Sequence, residues 1–84
     1  MKVVFLPDAF DQYVRWQDHD RKSLAKLNRL IEECRRHPHE GTGKPEPLKN
    51  DYSGWWSRRI DRENRLVCRV EGDSLIIVQC RYHY

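Results

Sequence analysis

Three side chains of the sequence, Glu46, Arg65 and His83, could together perform acid–base chemistry on a phosphodiester. A carboxylate can take the proton from a ribose 2′-hydroxyl, a guanidinium can stabilise charge on a pentavalent phosphorane, and an imidazolium can protonate the leaving 5′-oxygen. None of these steps needs a metal ion. Such a site would cleave RNA and not DNA, because the attacking hydroxyl belongs to the ribose. These residue types are common, so their presence alone only suggests the hypothesis.

The sequence around Glu46 and His83 indicates how each is held. Glu46 lies between Pro45 and Pro47, which restrict the backbone that carries the carboxylate. His83 follows an apolar, β-branched run over residues 75–80 that predicts a buried strand, so the end of the chain is expected to be ordered. Its imidazole titrates near neutral pH when unperturbed. Taken alone, His83 is explained more simply as a residue that ends a strand.

Two helices are predicted in the first half of the chain. The first is expected to begin around Asp8 and to stop around Asp18 and His19, and Asp20 can cap a second helix that ends before Pro38. On the first helix the predicted inner face comprises Phe10, Tyr13, Val14 and Gln17, with Trp16 at its half-buried edge. On the second helix the buried stripe comprises Leu24, Leu27, Leu30, Ile31 and Cys34.

Strands account for most of the remaining chain. A first strand is predicted over residues 2–6, and three more over 55–60, 65–70 and 74–84, with short turns that indicate an antiparallel meander. Residues 38–47 predict a long loop, which in a small domain is more often functional than idle. The expected fold class is α+β, with a two-helix hairpin packed on one face of a small, mainly antiparallel, twisted β-sheet.

Strand alternation predicts which side chains cover the helices and which form the opposite, outer face. The predicted inner set is Leu66, Cys68, Val70, Ile76, Val78, Cys80 and Tyr82. The predicted outer set is Arg59, Arg65, Val67, Arg69, Gln79, Arg81 and His83. A solvated sheet face could carry ordinary surface arginines. Their clustering favours an anionic ligand instead, because close like charges repel.

Composition limits the class of protein. The 84 residues suffice for a single domain spanning residues 1–84. With 38% hydrophobic and 35% charged residues, the chain is expected to be globular and not disordered. No membrane span or signal-peptide core is apparent, so a cytoplasmic location is expected. The net charge of +3 is modest, but the arginines between Trp55 and Val70 outnumber the acidic residues and suit phosphate.

The cysteines and histidines do not indicate a metal site. Cys34, Cys68 and Cys80 lie in apolar patterns and form no Cys-x-x-Cys pair, which predicts reduced core residues. Cys34, His37 and His39 form an arrangement that is unfamiliar for zinc. A helix end with two exposed histidines is the preferred interpretation, and no metal or cofactor is expected.

Four blocks of the sequence carry a specific resemblance to a known family. They are Gly43-Lys44-Pro45-Glu46-Pro47-Leu48-Lys49, Ser53-Gly54-Trp55-Trp56-Ser57-Arg58-Arg59-Ile60, Arg65-Leu66-Val67 and Cys80-Arg81-Tyr82-His83-Tyr84. In combination they resemble the YoeB toxins of the RelE/ParE superfamily over essentially the whole chain. The resemblance implies a RelE-like microbial ribonuclease fold. It also implies a toxin of a type II toxin–antitoxin system, a ribosome-dependent endoribonuclease that cuts messenger RNA in the ribosomal A site.

The resemblance also implies roles for individual residues. It assigns Glu46 as general base, Arg65 as the arginine that stabilises the transition state and His83 as general acid, with Tyr84 as the terminal tyrosine of the catalytic set. The residues expected to bind substrate are Lys49, Arg59, Glu63 and, on the predicted basic face, Arg81.

The expected partners follow from the same resemblance. They are a YefM-like antitoxin, the bacterial ribosome and messenger RNA, with a homodimer when the toxin is free and no membrane. The toxin–antitoxin complex is expected to bind operator DNA through the antitoxin. An acidic antitoxin segment is expected to pair with Arg59, Arg65 and Arg81 and to displace His83 and Tyr84.

Two other functions remain open on the same scaffold. One is a non-catalytic toxin such as a ParE-like gyrase inhibitor, a branch that does not share the nuclease residues. The other is a plain RNA-binding module, which would stall translation without producing new messenger ends.

Overall fold

The computed structural model describes residues 1–82 and confirms the α+β class, while His83 and Tyr84 lie outside the described residues. Two helices pack on one face of a five-stranded sheet. In chain order the elements are β1 (Lys2–Phe5), α1 (Pro7–Trp16), α2 (Arg21–Arg36), β2 (Glu46–Pro47), a 3₁₀ turn (Asn50–Tyr52), β3 (Trp56–Arg59), β4 (Arg65–Glu71) and β5 (Ser74–Gln79).

The strand order in the sheet is β1-β5-β4-β3-β2. The predicted meander is confirmed, because β3, β4 and β5 pair antiparallel in succession. The first strand pairs in parallel with β5, and the two helices form the connection that carries the chain away from β1. The last strand is shorter than predicted, since it ends at Gln79 and not at residue 84. None of the helices among residues 1–82 is long and apolar enough to cross a membrane.

The second helix follows its sequence pattern closely. The Asp20 side chain accepts a hydrogen bond from the Lys22 N–H at 3.0 Å and caps the helix as predicted. Its buried residues are Leu27, Leu30 and Cys34, with Leu24 and Ile31 partly buried against the same core. The period of the apolar residues therefore predicted both the helix and its inner face.

The predicted inner face of the first helix is wrong for Phe10 and Val14, although Tyr13 is partly buried against the core as predicted. Phe10 and Val14 are 53% and 47% exposed, whereas Ala9 and Trp16 are buried. The helix faces the end of β5, where the Trp16 indole N–H donates to the Cys80 carbonyl at 2.8 Å. Because Ala9 is small, it allows this close approach. The predicted face was chosen from the large apolar residues of the helix, and a small buried residue such as Ala9 was therefore overlooked.

The predicted face of β5 is also wrong over its first part. Leu75 and Ile77 are fully buried in the core, in place of Ile76 and Val78. The register explains the difference, because Val67 pairs with Gln79 while Cys68 pairs with Ile77. One extra residue on β5 reverses the alternation there, so Cys80 returns to the core as predicted.

The three cysteines are buried and free, as predicted from their apolar surroundings. The sulfurs of Cys34 and Cys68 lie 3.2 Å apart and join α2 to β4 in the core. Burial raises the pKa of the Cys80 thiol to about 12, so this side chain stays neutral.

Two neighbouring isoleucines test the observed register of β5. Ile77→Ala should lower the free energy of unfolding by about 2–5 kcal/mol, because it leaves a cavity in the core. Ile76→Ala, on the other face, should cost markedly less. Urea unfolding at matched protein concentrations measures both variants. The reverse order of costs would contradict the extra residue in β5.

Candidate active site

The sheet register brings two of the predicted catalytic residues together on the face opposite the helices. Glu46 in β2 pairs with Ser57 in β3, and Arg59 in β3 pairs with Arg65 in β4. An Arg65 Nη atom lies 3.4 Å from Glu46 Oε1. The Arg65 side chain is only 16% exposed, whereas Glu46 is 53% exposed. The carboxylate is therefore open to a ligand while the guanidinium is largely sheltered.

Ser57 holds the Arg65 guanidinium from below. The same Arg65 Nη donates a hydrogen bond to Ser57 Oγ at 2.9 Å, and Ser57 is fully buried. This contact limits the positions that the guanidinium can take. Sequence reasoning missed Ser57 as a functional residue. The sequence did contain a signal for it. Ser57 lies two residues before Arg59 on the same predicted strand, so both side chains are expected on the outer face.

The last described residue, Tyr82, is fixed beside Arg65. The Arg65 N–H donates to the Tyr82 carbonyl at 3.1 Å, and the Gln79 side-chain amide donates to the same oxygen at 3.1 Å. The Tyr82 N–H donates to Asn64 Oδ1 at 2.7 Å, and its φ of +64° is in the left-handed region. The predicted residues His83 and Tyr84 lie outside the described residues.

The turn between β3 and β4 carries Glu63 close to the paired Arg59 and Arg65. It is built on Asp61, whose carboxylate accepts from the N–H groups of Glu63 and Asn64, each at 2.8 Å. Burial raises the pKa of Asp61, but these hydrogen bonds outweigh it and lower the pKa below its ordinary value. The turn is thus held by an ionised aspartate.

Lys49 shares a cleft with Glu46. The cleft has a volume of about 450 Å³ and is lined by consecutive residues from Glu46 to Tyr52. The chain that lines it turns sharply at Asn50, which has a left-handed φ of +57°. The predicted functional loop therefore ends in a concave surface that holds both the carboxylate and a lysine.

Arg81 is not brought to this cleft. It lies at a separate cleft with Asp8, Asp11 and Gln12 of α1, and its guanidinium is 4.7 Å from the centre of the Tyr82 ring. Its predicted place on the outer sheet face is therefore wrong, because the chain leaves the sheet after Gln79.

The loop before Glu46 is folded around Arg58, which sequence reasoning also missed. This arginine is 1% exposed and donates to the carbonyls of His37 at 2.5 Å, Glu40 at 2.7 Å and Thr42 at 3.2 Å. It also pairs with Glu33 at 3.2 Å. Every one of these acceptors belongs to the end of α2 or the loop that follows.

Among residues 1–82, Glu33 is the one carboxylate that contacts Arg58. The Thr42 N–H donates to it, and this hydrogen bond, assisted by the Arg58 charge, lowers the pKa of Glu33 although desolvation opposes the shift. Gly41 has a φ of +116°, and a Cβ there would overlap Glu33 Oε1. A glycine is therefore required for the loop to close on this carboxylate.

The cysteine and the two histidines considered as zinc ligands, Cys34, His37 and His39, do not form a metal site. Among residues 1–82 no group of three His, Cys, Asp or Glu side chains could hold a metal ion. Cys34 is buried beside Cys68, and the His39 ring stacks on Trp56 with ring centres 4.3 Å apart.

Comparison with known proteins shows extensive similarity. Residues 5–84 match the family described as the YoeB-like toxin of bacterial type II toxin–antitoxin system. The chain is 52% identical to Toxin YoeB of Escherichia coli K12 over 84 residues, covering all of both chains.

Solved structures give the same result. A YoeB/ParE toxin from Agrobacterium tumefaciens is 48% identical with a TM-score of 0.96, covering 100% of both chains. The YoeB–YefM complex from Staphylococcus aureus contains a chain 40% identical with a TM-score of 0.90, and the YoeB dimer from the same organism one 41% identical with a TM-score of 0.91. Each match covers 100% of this chain and 98% of the other.

The Glu33 contacts predict a pH dependence of stability. The folded-state pKa of Glu33 is lowered, so its ionised form stabilises the fold above its ordinary pKa of 4.5, and this contribution disappears as the pH falls through the folded-state value. The difference in melting temperature between the parent chain and Glu33→Gln should therefore be large near pH 7 and should shrink below pH 4.5.

The neighbouring Glu32 provides the control for this measurement. It pairs with Arg35 and Arg36 on the exposed side of α2, and such surface pairs contribute little. Glu32→Gln should change the melting temperature only slightly near pH 7. An equal effect of the two variants would contradict the special role of Glu33.

Proposed function

The chain belongs to the YoeB-like toxins of bacterial type II toxin–antitoxin systems, and on that premise we propose that it is a ribosome-dependent endoribonuclease that cleaves messenger RNA in the ribosomal A site. The observation that carries this function is the contact of Glu46 with Arg65 on an open sheet face. A base and a sheltered cation at one point are what attack by a 2′-hydroxyl on a phosphodiester requires. Cleavage of the messenger would inhibit translation.

In this mechanism Glu46 is the general base. Its carboxylate is exposed enough to reach a 2′-hydroxyl, and its place in β2 limits its movement. As it takes the proton, the 2′-oxygen attacks the adjacent phosphorus and negative charge grows on the phosphoryl oxygens. Arg65 would stabilise this negative charge. Because Ser57 already orients the guanidinium, little reorganisation is needed as the charge develops.

His83 is the proposed general acid. It follows Tyr82 directly in the sequence, and Tyr82 is hydrogen bonded to Arg65. An imidazolium would protonate the 5′-oxygen as the P–O bond breaks, leaving a 2′,3′-cyclic phosphate, and attack by water on this ring would then break the P–O2′ bond and give a 3′-phosphate. Tyr84 completes the catalytic set. No step calls for a metal ion, so cleavage should continue in EDTA for as long as the ribosomes stay intact.

Four residues are proposed to bind the messenger. Lys49 and Arg59 are the best placed for phosphates near the reacting bond, because one shares the cleft of Glu46 and the other pairs with Arg65. Glu63 lies in the adjoining turn. Arg81 would contact a more distant part of the bound RNA.

The proposed partners follow from the solved relatives. A YefM-like antitoxin would bind this chain as in the Staphylococcus aureus complex, and the free toxin would form a dimer as in the structure from that organism. The complex would bind operator DNA through its antitoxin. The protein would act in the cytoplasm, where translating ribosomes are found.

Removing the 2′-oxygen of one nucleotide of the messenger tests the mechanism. On programmed ribosomes, primer extension first locates the cleavage position, and a messenger with one 2′-deoxyribonucleotide there should not be cut at that position. Glu46→Gln should lower the cleavage rate by about 100- to 10,000-fold, the usual contribution of a general base. Glu40→Gln, on an exposed glutamate of the preceding loop, should leave the rate unchanged.

Three outcomes would contradict the proposed nuclease or its mechanism. Cutting of the deoxy-substituted messenger at the same position would exclude the 2′-hydroxyl as nucleophile. Full toxicity of a Glu46→Ala, His83→Ala double variant would favour the gyrase inhibitor. Stalled translation without new messenger ends would favour the RNA-binding module.

Ser57→Ala tests the orientation of Arg65. Loss of the hydroxyl should lower kcat by about tenfold with little change in KM, because the guanidinium acts mainly in the transition state. Ser57→Thr keeps the hydroxyl and should restore part of the rate, and exposed Ser53→Ala is the control. The melting temperature of each variant is measured as well. If Ser57→Ala lowers the cleavage rate only because it destabilises the fold, Ser57 has no positioning role.

A further inference from the structure

We infer that Trp55 and Arg69 form a second RNA subsite on the outer sheet face, in which Arg69 binds a backbone phosphate away from the scissile one. This inference rests on the proposed function for the identity of the RNA as messenger. It concerns residues that the catalytic mechanism does not use. The ligand chemistry is a phosphodiester of a single strand.

The register places this subsite in line with the catalytic one. The pairing of Trp56 with Cys68 puts Trp55 opposite Arg69, as Arg59 is opposite Arg65. The two pairs lie on the same face, Arg59 and Arg65 where β3 ends and β4 begins, and the other pair next to the start of β3. Arg65 and Arg69 are four residues apart on β4, about 13 Å at the rise of a strand, which a few nucleotides can span.

The charges on this face favour an anion. Arg59 and Arg65 lie directly opposite each other, an arrangement of like charges that destabilises a sheet. Arg69 adds a third guanidinium to the same face of β3 and β4. Arg65 and Arg69 now pair with the exposed carboxylates of Glu46 and Glu71, so a polyanion that runs along β4 could contact all three arginines, whereas a single small anion at Arg65 would leave Arg69 unused.

The Arg69 guanidinium is already oriented. Its central carbon lies 4.6 Å from the centre of the Trp55 ring, and its Nε is shielded from solvent without a hydrogen-bond partner. Stacking on an indole fixes the plane of the guanidinium and lowers the entropy lost on binding. Its ion pair with Glu71 at 2.9 Å is exposed, with side-chain exposures of 41% and 62%, so a phosphate can replace the glutamate at little cost.

The salt dependence of RNA binding tests the subsite. The probe is a fluorescein-labelled single-stranded RNA, and the protein carries Glu46→Gln so that it does not cleave the probe. Adding Arg69→Gln should weaken binding about fivefold and reduce the slope of log K against log salt by about 0.7, the value for one phosphate of a single strand. Arg69→Lys should keep the slope, because it keeps the charge.

Arg35→Gln is a closely matched control. Arg35 is 39% exposed and pairs with a glutamate at 2.8 Å, but it lies on α2, behind the sheet. It should change neither affinity nor slope. Equal effects of the Arg35 and Arg69 variants would overturn the subsite, since both would then report only the net charge.

Replacing phosphates one at a time by neutral methylphosphonates locates the contact. At one position, away from the scissile phosphate, Arg69→Gln should cause no further loss of affinity, because its partner charge is already absent. Additive losses at every position, or no RNA binding by either protein at low salt, would overturn the subsite.

The subsite and the proposed nuclease can fail separately. Messenger cleavage without a change of slope removes the subsite and leaves the nuclease. A change of slope without cleavage on ribosomes removes the nuclease and leaves the subsite.

Discussion

The buried charge of Arg58 is the constraint on which the loop before Glu46 depends. An ionised guanidinium withdrawn from water is costly unless hydrogen-bond acceptors surround it. Here the acceptors are three main-chain carbonyls and the Glu33 carboxylate. The segment between α2 and β2 has little regular structure of its own. The conformation of this segment is therefore set by its hydrogen bonds to Arg58. A conformation that moved these carbonyls away would leave the guanidinium buried without acceptors.

Strand alternation links this buried charge to the exposed site. Because Arg58 points toward the helices, its neighbours Ser57 and Arg59 must point outward. Ser57 then meets Arg65, and its backbone pairs with Glu46. The Arg59 N–H also donates to the Gly43 carbonyl at 2.7 Å, which fixes the loop three residues before the carboxylate. One strand of four residues thus sets the loop on one face and the proposed catalytic pair on the other.

The parts of the fold that depend on local patterns were predictable from the sequence. The stripe of α2, its Asp20 cap and the meander follow from periodicity and turn residues, and strand parity correctly predicted that Arg59 and Arg65 share the outer face. The face of α1 was not predictable in this way, because it is set by Ala9 and by the Trp16 bond to Cys80. These are tertiary contacts, and they outweigh the preference of Phe10 for the core.

The failures on β5 and at Arg58 have a different origin. A single extra residue at Val78 reverses the strand's alternation, and nothing in an all-apolar run marks where it occurs. The inward direction of Arg58 was implied once Ile60 was placed in the core. An arginine is nevertheless expected at the surface unless its partners are known, and those partners come from a loop that the sequence leaves without a predicted conformation.

The difference in exposure between Glu46 and Arg65 suits the proposed substrate. In a chain of 84 residues there is little core to surround a deep pocket, so the proposed catalytic base on the sheet is exposed. The group that stabilises charge gains from shelter, because electrostatic interactions strengthen as water is excluded. Arg65 has that shelter in the protein alone, and Glu46 does not. A messenger held on a ribosome would bring its own surroundings and cover the carboxylate as it binds, so the proposed dependence on the ribosome has a physical reason in the half-open site.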